Sequence, residues 1–143
     1  MGIDGSDDAF RAAQRALEFH KRDHSKIVAF TSLLHKLTYM NPPLITIPAD
    51  NVISFHVQPE RITVAKNTLK KVEGLFKDSN AIIETRVIYD KEPDDYIKEQ
   101  VEEEGFDLVI LGCKGEHSTI KRVIGTVPEK VINHVPCDVL IAR

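Results

Sequence analysis

Residues 106–135, FDLVILGCKGEHSTIKRVIGTVPEKVINHV, decide the fold. Phe106 to Leu111 is apolar except for Asp107 and has the length of a buried strand. It ends at Gly112-Cys113-Lys114-Gly115; nine residues follow, and Gly125-Thr126 then opens a helical pattern from Val127 to Val135. Thr126 and Glu129 have the T-x-x-E spacing of a capping box. Glycines let backbone amides approach phosphate oxygens with no Cβ in the way, and a helix N-terminus adds unpaired N–H groups and partial positive charge. Two readings stay open for Gly112, Gly115, Gly125 and Thr126: an anion-binding loop, or a strand end, turn and cap that need no ligand.

Working outward, the same alternation recurs along the chain. Asp7 and Asp8 after Ser6 open a helix carrying Phe10, Ala13, Leu17 and His20 on one face, with carboxylates where the helix dipole favours them. Lys26 to Leu34 reads as a buried parallel strand. Ile62, Ala65, Leu69, Val72 and Phe76 mark a second amphipathic helix, and Ala81 to Ile88 a further strand. Pro93 leads a third helix through Tyr96, Ile97 and Val101 to Gly105, and Val139 to Ala142 is the closing strand. Between Leu37 and Glu60, Pro42, Pro43, Pro48 and Pro59 read as a long surface loop, suited to a lid, a partner surface or a tolerated insertion. Alternating strands and helices predict one α/β domain over residues 1–143, a parallel sheet with helices on both faces.

A chain of 143 residues, 42% of them apolar, can bury a core without disulfides or structural metal. Nineteen basic and 22 acidic residues leave a net charge of −3, which attracts neither nucleic acid nor an anionic membrane. No apolar run approaches the roughly 20 residues of a membrane span, and no charged-then-apolar leader opens the chain, so a soluble cytoplasmic protein is expected. Cys113 and Cys137 lie in neither a metal-ligand nor a CxxC spacing and read as inert thiols.

Ligands of open parallel sheets bind beyond the carboxyl ends of the strands, which singles out Asp4, Thr31 and Gly112 onward. Strand, Gly-x-x-Gly, nine residues, Gly-Thr and helix closely resembles the nucleotide loop of universal stress proteins. The resemblance extends to Asp4-Gly5-Ser6 before the first helix, the long loop after the next strand, and the approach Glu104-Gly105-Phe106-Asp107-Leu108. It implies a sheet of five parallel strands in order 3-2-1-4-5. It also implies that ATP, with Mg2+, is held with Asp4 and Thr31 at the adenine, and with Gly112, Gly115, Gly125 and Thr126 at ribose and phosphates. Val127 would add an amide, and two copies would pair through Val139 to Arg143. The sequence departs from the family twice: only Met1 to Ile3 precede Asp4 where a longer apolar strand is usual, and Asp90 to Glu92 lacks the usual glycine.

No Walker lysine and no Gly-x-Gly-x-x-Gly fingerprint is present, and no carboxylate at an informative spacing orients His117, so no catalytic residue is assigned. Lys114, His117, Lys121 and Arg122 could neutralise phosphates or simply face solvent. The expectation is a nucleotide-dependent sensor or interaction module, with a slow hydrolase or phosphotransferase and a nucleotide-free dimeric interaction protein as alternatives.

Overall fold

The computed structural model describes residues 1–34, 58–115 and 124–143. Helix α1, Asp7–Asp23, starts where the Ser6 hydroxyl accepts the Ala9 N–H at 3.1 Å. Its first turn is acidic and its last turn holds His20, Lys21 and Arg22, both matching the helix dipole. The buried face is Ala9, Ala12, Ala13, Ala16 and His20; Phe10 and Leu17, expected to lead it, pack at its margin. Alanines without bulk let this helix lie close on the sheet, which matters at Gly112 below.

Strand β1, Ile27–Leu33, pairs in parallel with β2, Ile83–Tyr89, from Ile27 opposite Ile83 to Leu33 opposite Tyr89. Strand β3, Leu108–Gly112, pairs in parallel with β4, Asp138–Ala142. The described residues hold three further α-helices: α2, Pro59–Phe76; α3, Pro93–Glu104; and α4, Thr126–His134. Helix α3 begins with Pro93 at its first position and stops at Gly105 in a left-handed cap, both as expected.

Pleat alternation divides the strands between two cores. Ile27, Ala29 and Ile110 join α1 and α2 on one face, where Val72 and Phe76 are fully buried. Phe30, Val109 and Leu111 join Tyr96, Ile97 and Val101 of α3 and Val131 of α4 on the other. Each large apolar side chain buried in this way contributes about 1.5–3 kcal/mol. Helices on both faces of parallel strands are therefore present as the alternation predicted.

Three expectations differ in detail from the structure. The count of five strands and their order 3-2-1-4-5 are not confirmed: the described residues hold four strands in two two-stranded sheets. The expected first strand survives as Met1 to Ile3, which makes a single parallel bridge between Gly2 and Phe30, with the Ile3 N–H on Phe30 O at 2.8 Å. Beside that bridge a cavity of about 370 Å³ opens between the starts of β1 and β3. The Met1 ammonium lies buried there on Val28 O, and desolvation lowers its pKa from 8.0 to about 5. Second, Pro59 and Glu60 belong to α2, not to the preceding loop, since proline suits the first helical turn. Third, β2 and β3 start two residues later than read, at Ile83 and Leu108, because Ala81-Ile82 and Phe106-Asp107 precede the paired registers. The rest of the expected loop, residues 37–57, lies outside the described residues.

Candidate functional site

The carboxyl ends of the strands and the amino ends of α1 and α4 meet at one edge of the molecule. Thr31, near the end of β1, donates its hydroxyl to Ile3 O at 2.7 Å. That bond fixes the residue immediately before Asp4. The Asp4 carboxylate in turn accepts the Ser6 N–H at 3.0 Å, closing the turn into α1. Thr31 is thus tied to the backbone that carries Asp4, and its hydroxyl hydrogen serves the fold.

Asp4 and the glycine loop are brought together. A Cβ on Gly115 would stand 2.8 Å from Asp4 Oδ2, so the loop backbone lies close against the tip of that carboxylate. Gly112 has a different neighbour: a Cβ there would lie 2.7 Å from the α1 backbone at Asp8 and Ala9. Its identity is therefore required by helix packing whether or not a ligand binds. Beyond β3, Cys113 N–H donates to Ala142 O at 2.7 Å and Lys114 N–H to Asp8 Oδ2 at 3.0 Å.

Gly125 N–H returns to Cys113 O at 2.8 Å, which seats the start of α4 against the end of β3. Gly125 itself is the N-cap of α4, and no side chain caps the helix. The expected Thr126–Glu129 capping box is corrected accordingly: Thr126 is the first helical residue, exposed, and its hydroxyl does not cap. Of the first-turn amides, that of Gly125 is used and Pro128 has none, so helix geometry leaves those of Thr126 and Val127 outside the intrahelical ladder. The Val127 side chain packs into the second core and anchors that amide.

Two features escaped the sequence reading. Asp94, taken as a dipole carboxylate of α3, also pairs with Lys130 of α4 at 3.1 Å, while its Oδ1 is buried without a hydrogen-bond partner among the described residues. Asp90, where the family's glycine is missing, holds φ 55° and donates its N–H to Leu33 O at 3.0 Å. Aspartate tolerates that left-handed conformation, so the turn forms without glycine. His117, Lys121 and Arg122 lie outside the described residues. Among the described residues, no group of three or more histidines, cysteines or carboxylates is placed to hold a metal, and no helix is long and apolar enough to cross a membrane.

Parallel strands between two helical layers, with a glycine loop and a helix N-terminus at the strands' carboxyl ends, define an α/β protein of doubly wound type. The chain belongs to the universal stress protein family, whose model matches residues 1–143. A relative named as a universal stress protein from Staphylococcus haemolyticus is 24% identical over 151 residues, spanning 100% of this chain and 82% of its own. Another, from Staphylococcus aureus USA300, is 26% identical over 149 residues, spanning 100% of this chain and 81% of its own. Among solved structures, a universal stress protein from Lactobacillus plantarum superposes with a TM-score of 0.71 at 22% identity, over 99% of this chain and 94% of its own. A universal stress protein in complex with cAMP gives 0.69 at 24%, over 100% and 93%. The Archaeoglobus fulgidus protein in complex with dAMP gives 0.71 at 21%, over 99% and 94%.

Proposed function

We propose that this chain binds an adenine nucleotide, ATP with Mg2+, at the edge where Asp4, Gly115 and the start of α4 converge, and acts in the cytoplasm as a nucleotide-dependent sensor or interaction module. The observation that carries the reading is the approach of Gly115 to the Asp4 carboxylate, beside a helix start with two usable amides. In it, the amides of Thr126 and Val127 take phosphate oxygens and the exposed Thr126 hydroxyl adds a donor. Asp4 and Thr31 stand toward the adenine, and Gly112 and Gly125 shape the loop. Mg2+ commonly takes most of its ligands from phosphates and water and one or two from carboxylates. Asp4 is the loop carboxylate beside Gly115, while Asp8 is engaged by Lys114 and Arg11, so the absence of a larger acidic cluster among the described residues is compatible with that ion. Structural relatives in complex with cAMP and dAMP support an adenine nucleotide as the ligand class.

Calorimetric titration with ATP, with AMP for comparison, tests the reading. Binding at sub-millimolar affinity is expected, with AMP weaker. No heat and no thermal shift at ~1 mM ATP, a free energy of about −4 kcal/mol, would overturn it. The packing reason for Gly112 would then favour a nucleotide-free interaction protein that keeps the loop as scaffold.

A further inference from the structure

Asp8 has a task that its place in the first turn of α1 does not explain. Its side chain is largely buried, 15% exposed, although Asp7 beside it faces solvent. Its Oδ2 accepts the Lys114 N–H at 3.0 Å, across 106 positions of sequence, and its Oδ1 pairs with Arg11. Both carboxylate oxygens are therefore engaged, one on the helix's own surface and one on the glycine loop. Gly112 presses on the Asp8 backbone from the same side, so the contact is held by packing as well as by the hydrogen bond.

We propose that Asp8 is a positioning residue for the nucleotide loop, holding the Lys114 amide so that the chain leaving β3 turns Gly115 onto Asp4. The geometry is direct: Lys114 is the residue between Cys113, whose carbonyl seats α4, and Gly115, which abuts Asp4. With the Lys114 amide tethered to α1, both halves of the site keep one spacing before any ligand arrives. Preorganisation of this kind strengthens binding by reducing what must be ordered in the complex. A hydrogen bond to a charged acceptor is strong enough to hold such a turn. The Asp8 role rests on the nucleotide-binding reading.

The test compares the 143-residue chain with Asp8→Ala, Asp8→Asn and Asp7→Ala. ATP affinity is measured by calorimetry, and protection of the Lys114 amide by hydrogen exchange. Asp7→Ala removes a first-turn carboxylate without touching the loop and serves as the control for helix-dipole effects. Asp8→Ala should bind ATP ~10-fold more weakly, about 1.4 kcal/mol, and its Lys114 amide should exchange faster. Asp8→Asn retains an oxygen acceptor and should stay within about threefold of wild type, a difference of under about 0.7 kcal/mol. Unchanged affinity in Asp8→Ala, or an equal loss in Asp7→Ala, overturns the positioning role. If wild type shows no ATP binding while Lys114 exchange still responds to Asp8→Ala, nucleotide binding fails, and the ligand-positioning role fails with it, but the tether itself is real. If exchange does not respond either, the tether fails too.

Discussion

Gly112 and Gly115 stand in one short loop, yet their neighbours differ in kind. A Cβ on Gly112 meets α1 backbone at 2.7 Å, and backbone cannot rotate away. A Cβ on Gly115 meets the tip of the Asp4 side chain at 2.8 Å, which can swing aside. Gly112→Ala is therefore expected to cost about 1–3 kcal/mol of stability, the usual range for overpacking. Gly115→Ala is expected to cost under about 0.5 kcal/mol while displacing Asp4 and weakening ATP binding. Urea unfolding with and without ATP separates the two. Equal destabilisation by both substitutions would contradict the distinction.

At the scale of elements, the tie between β2 and α3 runs through Arg86. Its guanidinium donates to Glu84 of β2 at 2.7 Å and to Tyr96 Oη at 3.0 Å, pairs with Glu104 at 2.7 Å, and also contacts Gln100. Hydrogen bonding to Arg86 is the main reason that both the Glu84 and Glu104 carboxyls are held below their usual value of 4.5. A carboxyl with a depressed folded pKa adds stability above its unfolded value and loses it as pH falls through the folded one. Arg86→Met should accordingly lower the urea midpoint at neutral pH, and the gap to wild type should narrow as pH drops below about 4.5. A gap that stays constant with pH would show that Arg86 acts through packing and its bonds to Tyr96 and Gln100, not through the two carboxylates. The Lys130–Asp94 pair joins α3 to α4 in the same manner, and α4 is the helix whose first turn faces the proposed ligand.

For the whole molecule, the open question is what covers β4. Among the described residues it pairs with β3 alone. Asp138 N–H and Ala142 O point to β3, so alternation directs the backbone groups of Val139 and Ile141 to the outer edge. Sheet edges are usually capped or paired. A homodimer through Val139 to Arg143 would satisfy both copies by two-fold symmetry. Light scattering at tens of micromolar, on the order of concentrations where modest interfaces populate, is expected to show a dimer. Ile141→Pro removes an outward N–H while sparing the bonds to β3, and should give a monomer with an unchanged far-UV spectrum. A monomeric wild type at that concentration would rule the interface out.

Local rules were enough to place each α-helix and paired strand of the described residues to within a few residues. The Ser6 cap, Pro93 and Gly105 acted within a few residues of where they stand. The glycine spacing from Gly112 to Gly125 carried the family resemblance, and Asp4 was singled out because strand ends converge in parallel sheets. Contacts distant in sequence were not legible. Spacing gave no means of telling Gly112, pressed by a helix about a hundred residues earlier, from Gly115, pressed by a carboxylate. Nor did it separate Asp8 from Asp7, two acids in one first turn with different burial. The capping box failed for a related reason: Gly125 is bound to Cys113, which fixes where α4 starts and leaves Thr126 past the cap. Periodicity and capping depend on neighbours along the chain, so the sequence alone determined the elements and their alternation. Which residues meet at the strand ends depends on how two helical layers settle on the sheet, and only the tertiary structure decided that.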